Sequence, residues 1–157
     1  MVVTELPTLG SGAVASVEAA GDDLWVTGAE VFRPRHLGAH LVLSAADGQE
    51  LGTYAVSQLD AAGRVRLGGA QLELGGDVAL ASTWRGEYRF DSVALLNGAG
   101  LTATDPIVGP SVVFEGETEV AGTISATDVV VKAGATLRPA PGFNALRFDV
   151  SGTLTIE

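Results

Sequence analysis

The chain holds two histidines, His36 and His40, spaced four apart. On a helix that spacing sets both rings on one face, as in a metal-binding pair. Pro34 and Gly38 argue against a regular helix here, and neither a cysteine nor a third histidine accompanies them. A metal site needs three or four placed ligands, so no metal site is expected. Asp22, Asp23, Asp47, Asp60 and Asp77 sit beside glycine-rich turns, where a carboxylate takes up the turn's own backbone N–H groups. A nine-residue calcium-binding repeat is absent. No cofactor is expected, with incidental calcium at these turns the one exception left open. No serine stands with a histidine and an acid in a recognisable arrangement, and there is no phosphate loop. No catalytic residue is assigned.

Any such group would be positioned by the repetitive half of the chain, Tyr88 to Ile156, where one apolar pattern returns four times. The passes are Tyr88, Phe90, Val93, Leu95, Ala99, Leu101; Ile107, Gly109, Val112, Phe114, Thr118, Val120; Ile124, Ala126, Val129, Val131, Ala135, Leu137; and Phe143, Ala145, Phe148, Val150, Leu154, Ile156. The anchors Val93, Val112, Val129 and Phe148 lie 19, 17 and 19 residues apart, too close for a pair of helices and suited to one solenoid turn. Within a pass the period is two with two interruptions, which predicts short strands meeting at corners. Each pass therefore reads as one coil of a parallel β-helix, its strands about 4.8 Å from those of the next coil.

Gly98, Gly116, Gly134 and Gly152, each 18 apart, mark one corner, where positive φ costs glycine little. The other corner varies in length and carries Asp105-Pro106, Gly122 and Pro139-Ala140-Pro141-Gly142. A left-handed hexapeptide helix would need an aliphatic residue at every sixth position. From Ile107 that series reaches Val113 and then Glu119, and from Ile124 it reaches Val130 and then Thr136. The hexapeptide form is therefore set aside, and the spacing leaves the handedness open.

On the outer faces, Asp91, Glu115, Glu117, Glu119, Asp128 and Asp149 do not share a column, as the acid pairs of a polysaccharide-cleaving β-helix would, and they read as a solvated face. One outer column is unusual. The position after each third-strand anchor reads Ala94, Val113, Val130, Asp149, so apolar groups stack outside on three coils with Leu96 nearby. Exposed β-branched residues suit strands in any case, and the sharper reading is a lateral interface. Ile156 ends the fourth coil at an edge that templates further pairing. Ala94, Leu96, Val113, Val130 and Ile156 are therefore the candidate interaction surface.

Composition sets the limits. The chain has 157 residues, and 19 acidic against 9 basic side chains give a formal charge of -10. That balance repels phosphate backbones and anionic membranes, so nucleic acid is not an expected partner. No apolar run is long enough to span a bilayer, and Met1-Val2-Val3-Thr4 is not a signal peptide. The start reads as that of an excised segment or of a chain with an added Met. Zero cysteine excludes disulfides.

Residues 1–12 read as a connector. Short strands follow: Val14 to Ala19, Leu24 to Gly28, His40 to Ser44, Leu51 to Val56, Arg64 to Leu67, Leu72 to Leu74 and Val78 to Leu80. Phe32 to Leu37, with Pro34, is a loop or a single helical turn. Asp47-Gly48 is a strong hairpin signal, and Asp60-Ala61-Ala62-Gly63 is a second turn. The expected fold is all-β. A small antiparallel β-sandwich or barrel module over residues 13–84 is followed by a short parallel β-helix of about four coils over residues 85–157. The module is expected to cap the first coil, as solenoid ends require.

Residues Leu24 to Gly28, Phe32, Leu37-Gly38, Leu51 to Val56 and Gly63 to Leu67 resemble a small β-module of bacterial surface proteins and phage tail appendages. Tyr88 to Val93, Val131 to Leu137 and Asp149 to Ile156 are similar to the β-helices of large secreted bacterial surface proteins, a resemblance that implies right-handed coils. The resemblance implies an extracellular or cell-surface structural role in a fibre, surface layer or adhesin stalk, and it carries over no active site. Partners are then other copies of the chain or further coils of a longer parent. The alternative is a carbohydrate-binding or polysaccharide-depolymerising fragment like a phage tailspike. It would need a groove of aromatics and acids, for which Trp25, Trp84, Tyr54 and Tyr88 are available.

Overall fold

The computed structural model describes residues 2–21, 23–68 and 80–157. Among them the chain is all-β, with parallel and antiparallel pairing and a 3-10 turn at Pro34–His36. Contacts divide it into two compact units, Leu9–Glu87 and the segment ending at Thr8 together with Tyr88–Glu157. The stretch read as a connector holds one strand and the start of another, joined by residues 6–10 outside any strand. β1 (Val2–Glu5) pairs in parallel with Ala99–Thr102, and β2 (Ser11–Ala20) opens the other unit. The backbone of β1 finds its partners far along the chain, so no local pattern announces it.

In the unit Leu9–Glu87, β2 is followed by β3 (Asp23–Gly28), β4 (His40–Ser44), β5 (Glu50–Leu59), β6 (Val65–Gly68) and β7 (Thr83–Arg89), which carries the chain out of the unit. All pairings within the unit are antiparallel. They run β2–β3–β6–β5–β4–β7 and return to β2 through Gly12 opposite Trp84, so the strands close into a ring. A closed ring leaves no edge to aggregate. Alternation sends Leu24, Val26, Leu41, Leu43, Val56, Val65, Leu67 and Trp84 into one core, each large side chain contributing about 1.5–3 kcal/mol by leaving water.

The Asp47-Gly48 hairpin forms as read. Gly48 takes φ +85, and Asp47 Oδ1 accepts the Gln49 N–H at 2.9 Å. At the second turn Asp60 Oδ1 accepts the N–H groups of Ala62 and Arg64, at 3.0 and 2.9 Å. Asp22 and the stretch from Leu72 through Asp77 to Ala79 lie outside the described residues.

In the second unit every pairing is parallel. After Tyr88 come β8 (Val93–Leu95), β9 (Ala99–Thr102), β10 (Ile107–Phe114), β11 (Glu117–Ala121), β12 (Thr123–Val131), β13 (Thr136–Pro139), β14 (Arg147–Val150) and β15 (Leu154–Ile156). One sheet has the order β1-β9-β11-β13. In the other, β10 lies between β12 and a first row made of Tyr88-Arg89 and β8, and β12 pairs beyond with β14 and β15. Like residues stack: Ile107 on Ile124, Val112 on Val129 and Phe114 on Val131.

The first two passes keep the register read from the sequence, Tyr88 with Ile107, Val93 with Val112, Leu95 with Phe114, Ala99 with Thr118 and Leu101 with Val120. The later ones slip. Leu137, not Ala135, pairs with Thr118, and the last pass begins at Phe148, which pairs with Ile124, rather than at Phe143. Leu154 then pairs with Val129 and Ile156 with Val131. Gly98, Gly116 and Gly134 all take positive φ at equivalent corners, whereas Gly152 does not. Gly152 stands instead between β14 and β15, where its N–H donates to the Thr127 carbonyl at 2.8 Å.

Candidate functional site

Ala94, Val113 and Val130 form the outer column read from the sequence, Val113 pairing with both of the others. Its fourth member is Thr155, not Asp149. The slip of the last pass sets Asp149 beside Ser125, while Thr155 follows Val130. Ala94 is exposed, Val113 and Val130 are half-buried, and Leu96 is exposed just past β8. Ile156 belongs elsewhere. It continues the inward column Leu95–Phe114–Val131 and is 73% exposed, with Leu154 beside it at 55%. The candidate residues therefore fall into an outer column and an end.

That end is the side of the last pass away from β12. Among the described residues β14 and β15 pair only with β12, and β13 pairs only with β11. At the opposite end β8 pairs, among the described residues, only with β10, and an open cavity of about 410 Å³ is lined by Thr4, Leu6, Phe90, Val93, Leu95 and Leu101. Phe90 is 39% exposed and stacks on Tyr88, the ring centroids 6.3 Å apart and the planes nearly parallel. The Tyr88 hydroxyl donates to the Pro7 carbonyl, which ties the chain entering from β1 to the first pass. The cavity went unread in the sequence because Thr4 and Leu6 lie in the segment taken as a connector.

Register separates the outward acids. Glu117 pairs with Thr136, Glu119 with Gly100 and Arg138, Asp128 with Ser111 and Asp149 with Ser125, so none of these four has another acid as strand neighbour. Asp128 is engaged in structure, its Oδ1 accepting the Thr153 N–H at 3.0 Å. Asn97 does the same one corner away, accepting the Glu117 N–H at 3.0 Å.

The two histidines diverge. His36 is buried in the 3-10 turn, where Nε2 donates to the Leu9 carbonyl and Nδ1 lies 3.0 Å from both the N–H and the carbonyl of Arg33. Its ring packs edge-on to Phe32 and Trp84. His40 lies in β4, opposite Glu87. Of the aromatics weighed for a glycan groove, Trp84 is buried in the core, and Trp25 is half-buried with the Arg64 guanidinium 5.4 Å over its ring. Arg64 also pairs with Asp60 at 2.7 Å and Glu18 at 3.1 Å. The Arg64 backbone N–H and then its side chain hold the Asp60 carboxyl below the usual range, and Asp60 in turn raises the guanidinium.

Comparison of the chain with protein-family models, with curated proteins and with solved structures finds no match.

Proposed function

We propose that the protein is a non-enzymatic structural module that builds an extracellular bacterial assembly such as a fibre, a surface layer or an adhesin stalk. In this reading the unit Leu9–Glu87 is a small antiparallel barrel and the passes after Tyr88 are coils of a short parallel β-helix. The observation that carries it is the last pass. Leu154 and Ile156 continue columns that are buried or half-buried in every earlier pass, yet they stand exposed beside a strand edge with no described partner. Such an edge templates the addition of another strand, and a stack of coils gains from each neighbour. Partners are other copies of the chain or further coils. The extracellular, bacterial setting rests on the resemblance of the coil residues to secreted surface proteins. No cofactor, nucleic acid or inserted lipid enters the reading.

The separation of the outward acids and the covering of Trp25 and Trp84 favour a scaffold over a polysaccharide-cleaving fragment. The test is sedimentation velocity over a concentration series, with negative-stain images of the same samples. Growth into discrete oligomers or fibres is expected. A compact monomer at every concentration, together with release of product from a polysaccharide, would overturn the proposal.

A further inference from the structure

Asn97 is followed by Gly98, whereas the chain's other asparagine, Asn144, is followed by alanine. Asparagine before glycine is the pair most prone to lose its side-chain amide without an enzyme, because glycine sets no side chain in the way of its own backbone nitrogen. That nitrogen attacks Asn97 Cγ, the carboxamide C–N bond breaks, and the leaving group takes the Gly98 amide proton and departs as ammonia. The product is a five-membered cyclic imide. Water then opens either of its two carbonyl–nitrogen bonds. One opening gives aspartate, and the other gives isoaspartate, in which the main chain runs through the side-chain carbonyl and gains a methylene.

Both partners of this reaction are held by one residue of the next pass. The Gly98 N–H donates to the Glu117 carbonyl at 2.7 Å, and Asn97 Oδ1 accepts the Glu117 N–H at 3.0 Å. The second bond polarises the carboxamide, yet it also pins it to β11, and the first withholds the nitrogen that must attack. The Ala99 N–H donates to the Leu96 carbonyl at 2.8 Å, closing a turn around the pair with Gly98 at φ +79. Burial has no part in this restraint, because Asn97 is exposed and Gly98 only half-buried. We propose that Asn97-Gly98 is a deamidation site that the stacking of one pass on the next keeps closed, and that water gains its product when β9 parts from β11. Openings of this local kind need far less than global unfolding. The step runs one way. Aspartate at 97 adds a negative charge beside Glu115-Gly116-Glu117, where like charges on neighbouring strands repel. Isoaspartate lengthens the main chain inside the Leu96–Ala99 turn and so displaces Ala99 from its place beside Thr118. A pass that has opened and aged does not restack in its old register, whether or not the chain assembles.

The test incubates the folded protein beside the same protein in guanidinium chloride at one mildly alkaline pH, then digests both and reads aspartate and isoaspartate at position 97 by mass spectrometry, with Asn144 as the internal reference. Conversion of Asn97 is expected to be slower in the folded chain by about tenfold or more. Gly116→Ala, whose Cβ would fall 2.6 Å from the Asn97 Cβ, is expected to speed conversion in the folded chain about tenfold. Gly134→Ala, at a corner where a Cβ meets nothing within 4 Å, is expected to stay within about twofold of the parent. Circular dichroism checks that both variants keep their strand content. Solvent exchange of the Gly98 N–H in the parent gives an independent reading, expected to be slowed at least as much as conversion is. Equal conversion in the folded and denatured parent would overturn the proposal. So would an unprotected Gly98 N–H, or a folded Gly116→Ala chain that converts no faster than Gly134→Ala.

Discussion

Asn97 Oδ1 accepts the backbone N–H of Glu117 at 3.0 Å, so the residue before one corner glycine holds the corner of the next pass. The arrangement depends on Gly116. A Cβ there would fall 2.6 Å from the Cβ of Asn97, at φ +69, whereas one at Gly134, φ +75, meets nothing within 4 Å. Gly134→Ala is expected to lower stability by about 1–2 kcal/mol, the cost of a left-handed conformation for a residue with a side chain. Gly116→Ala adds the clash and costs more. Chemical denaturation of both variants checks the order, and equal losses would mean the corner is not stacked on Asn97.

Thr118 is buried in the column Ala99–Thr118–Leu137, and its Oγ1 has no hydrogen-bond partner among the described residues. Thr118→Val keeps the shape and removes the unsatisfied hydroxyl, so it is expected to stabilise the protein by about 1 kcal/mol. A shift of the denaturation midpoint to higher denaturant at unchanged slope is the signature to look for.

The register of the last pass makes opposite demands on two phenylalanines. Phe148 packs edge-on to Phe114 with ring centroids 5.5 Å apart, while Phe143 is 47% exposed. Phe148→Ala is expected to cost about 2 kcal/mol, less than a fully buried ring would. Phe143→Ser should stay within about 0.5 kcal/mol of the parent. The reverse order in thermal or urea unfolding would restore Phe143 as the start of the pass.

Asp60 provides a pH dependence whose sign is fixed. Its carboxyl is held below the usual range, first by the Arg64 N–H and then by the Arg64 side chain. As pH falls, the unfolded chain takes up this proton before the folded one. The contribution to stability is therefore complete above the unfolded value and is lost as pH drops through the folded one. Asp60→Asn should make the protein less stable at neutral pH and flatten its acid limb. Denaturation curves across the acid range, parent against variant, measure both effects.

How far the sequence could be read depends on where its spacing stays constant. Tyr88 to Leu101 and Ile107 to Val120 keep one interval at every apolar position, so their mutual register was legible. The third pass departs where Ala135 and Leu137 compete for the place beside Thr118, and the larger side chain takes it. In the fourth, a regular series of glycines misled. Gly152 continues the spacing of Gly98, Gly116 and Gly134 but not their positive φ, because the long connection through Pro139 and Pro141 delays the pass until Phe148. The acid clamp Asp128 and the pairing of β1 were hidden for a different reason. They consist of pairings between remote residues, such as Val2 with Ala99, which leave no mark on either local sequence.

The pairing of β1 with β9 also fixes how the chain bears tension. A pull applied at the amino-terminal end passes from β1 across its four-residue ladder into β9 and onward to the later strands. Of the residues between Glu5 and Ala99, Tyr88-Arg89 and β8 are held to β10, while the unit Leu9–Glu87 is a loop outside that path. The first event on stretching is then the peeling of β1, which releases the loop and brings the closed ring of strands under load only afterwards. The short ladder acts as a fuse, and the unit behind it is a reserve of length.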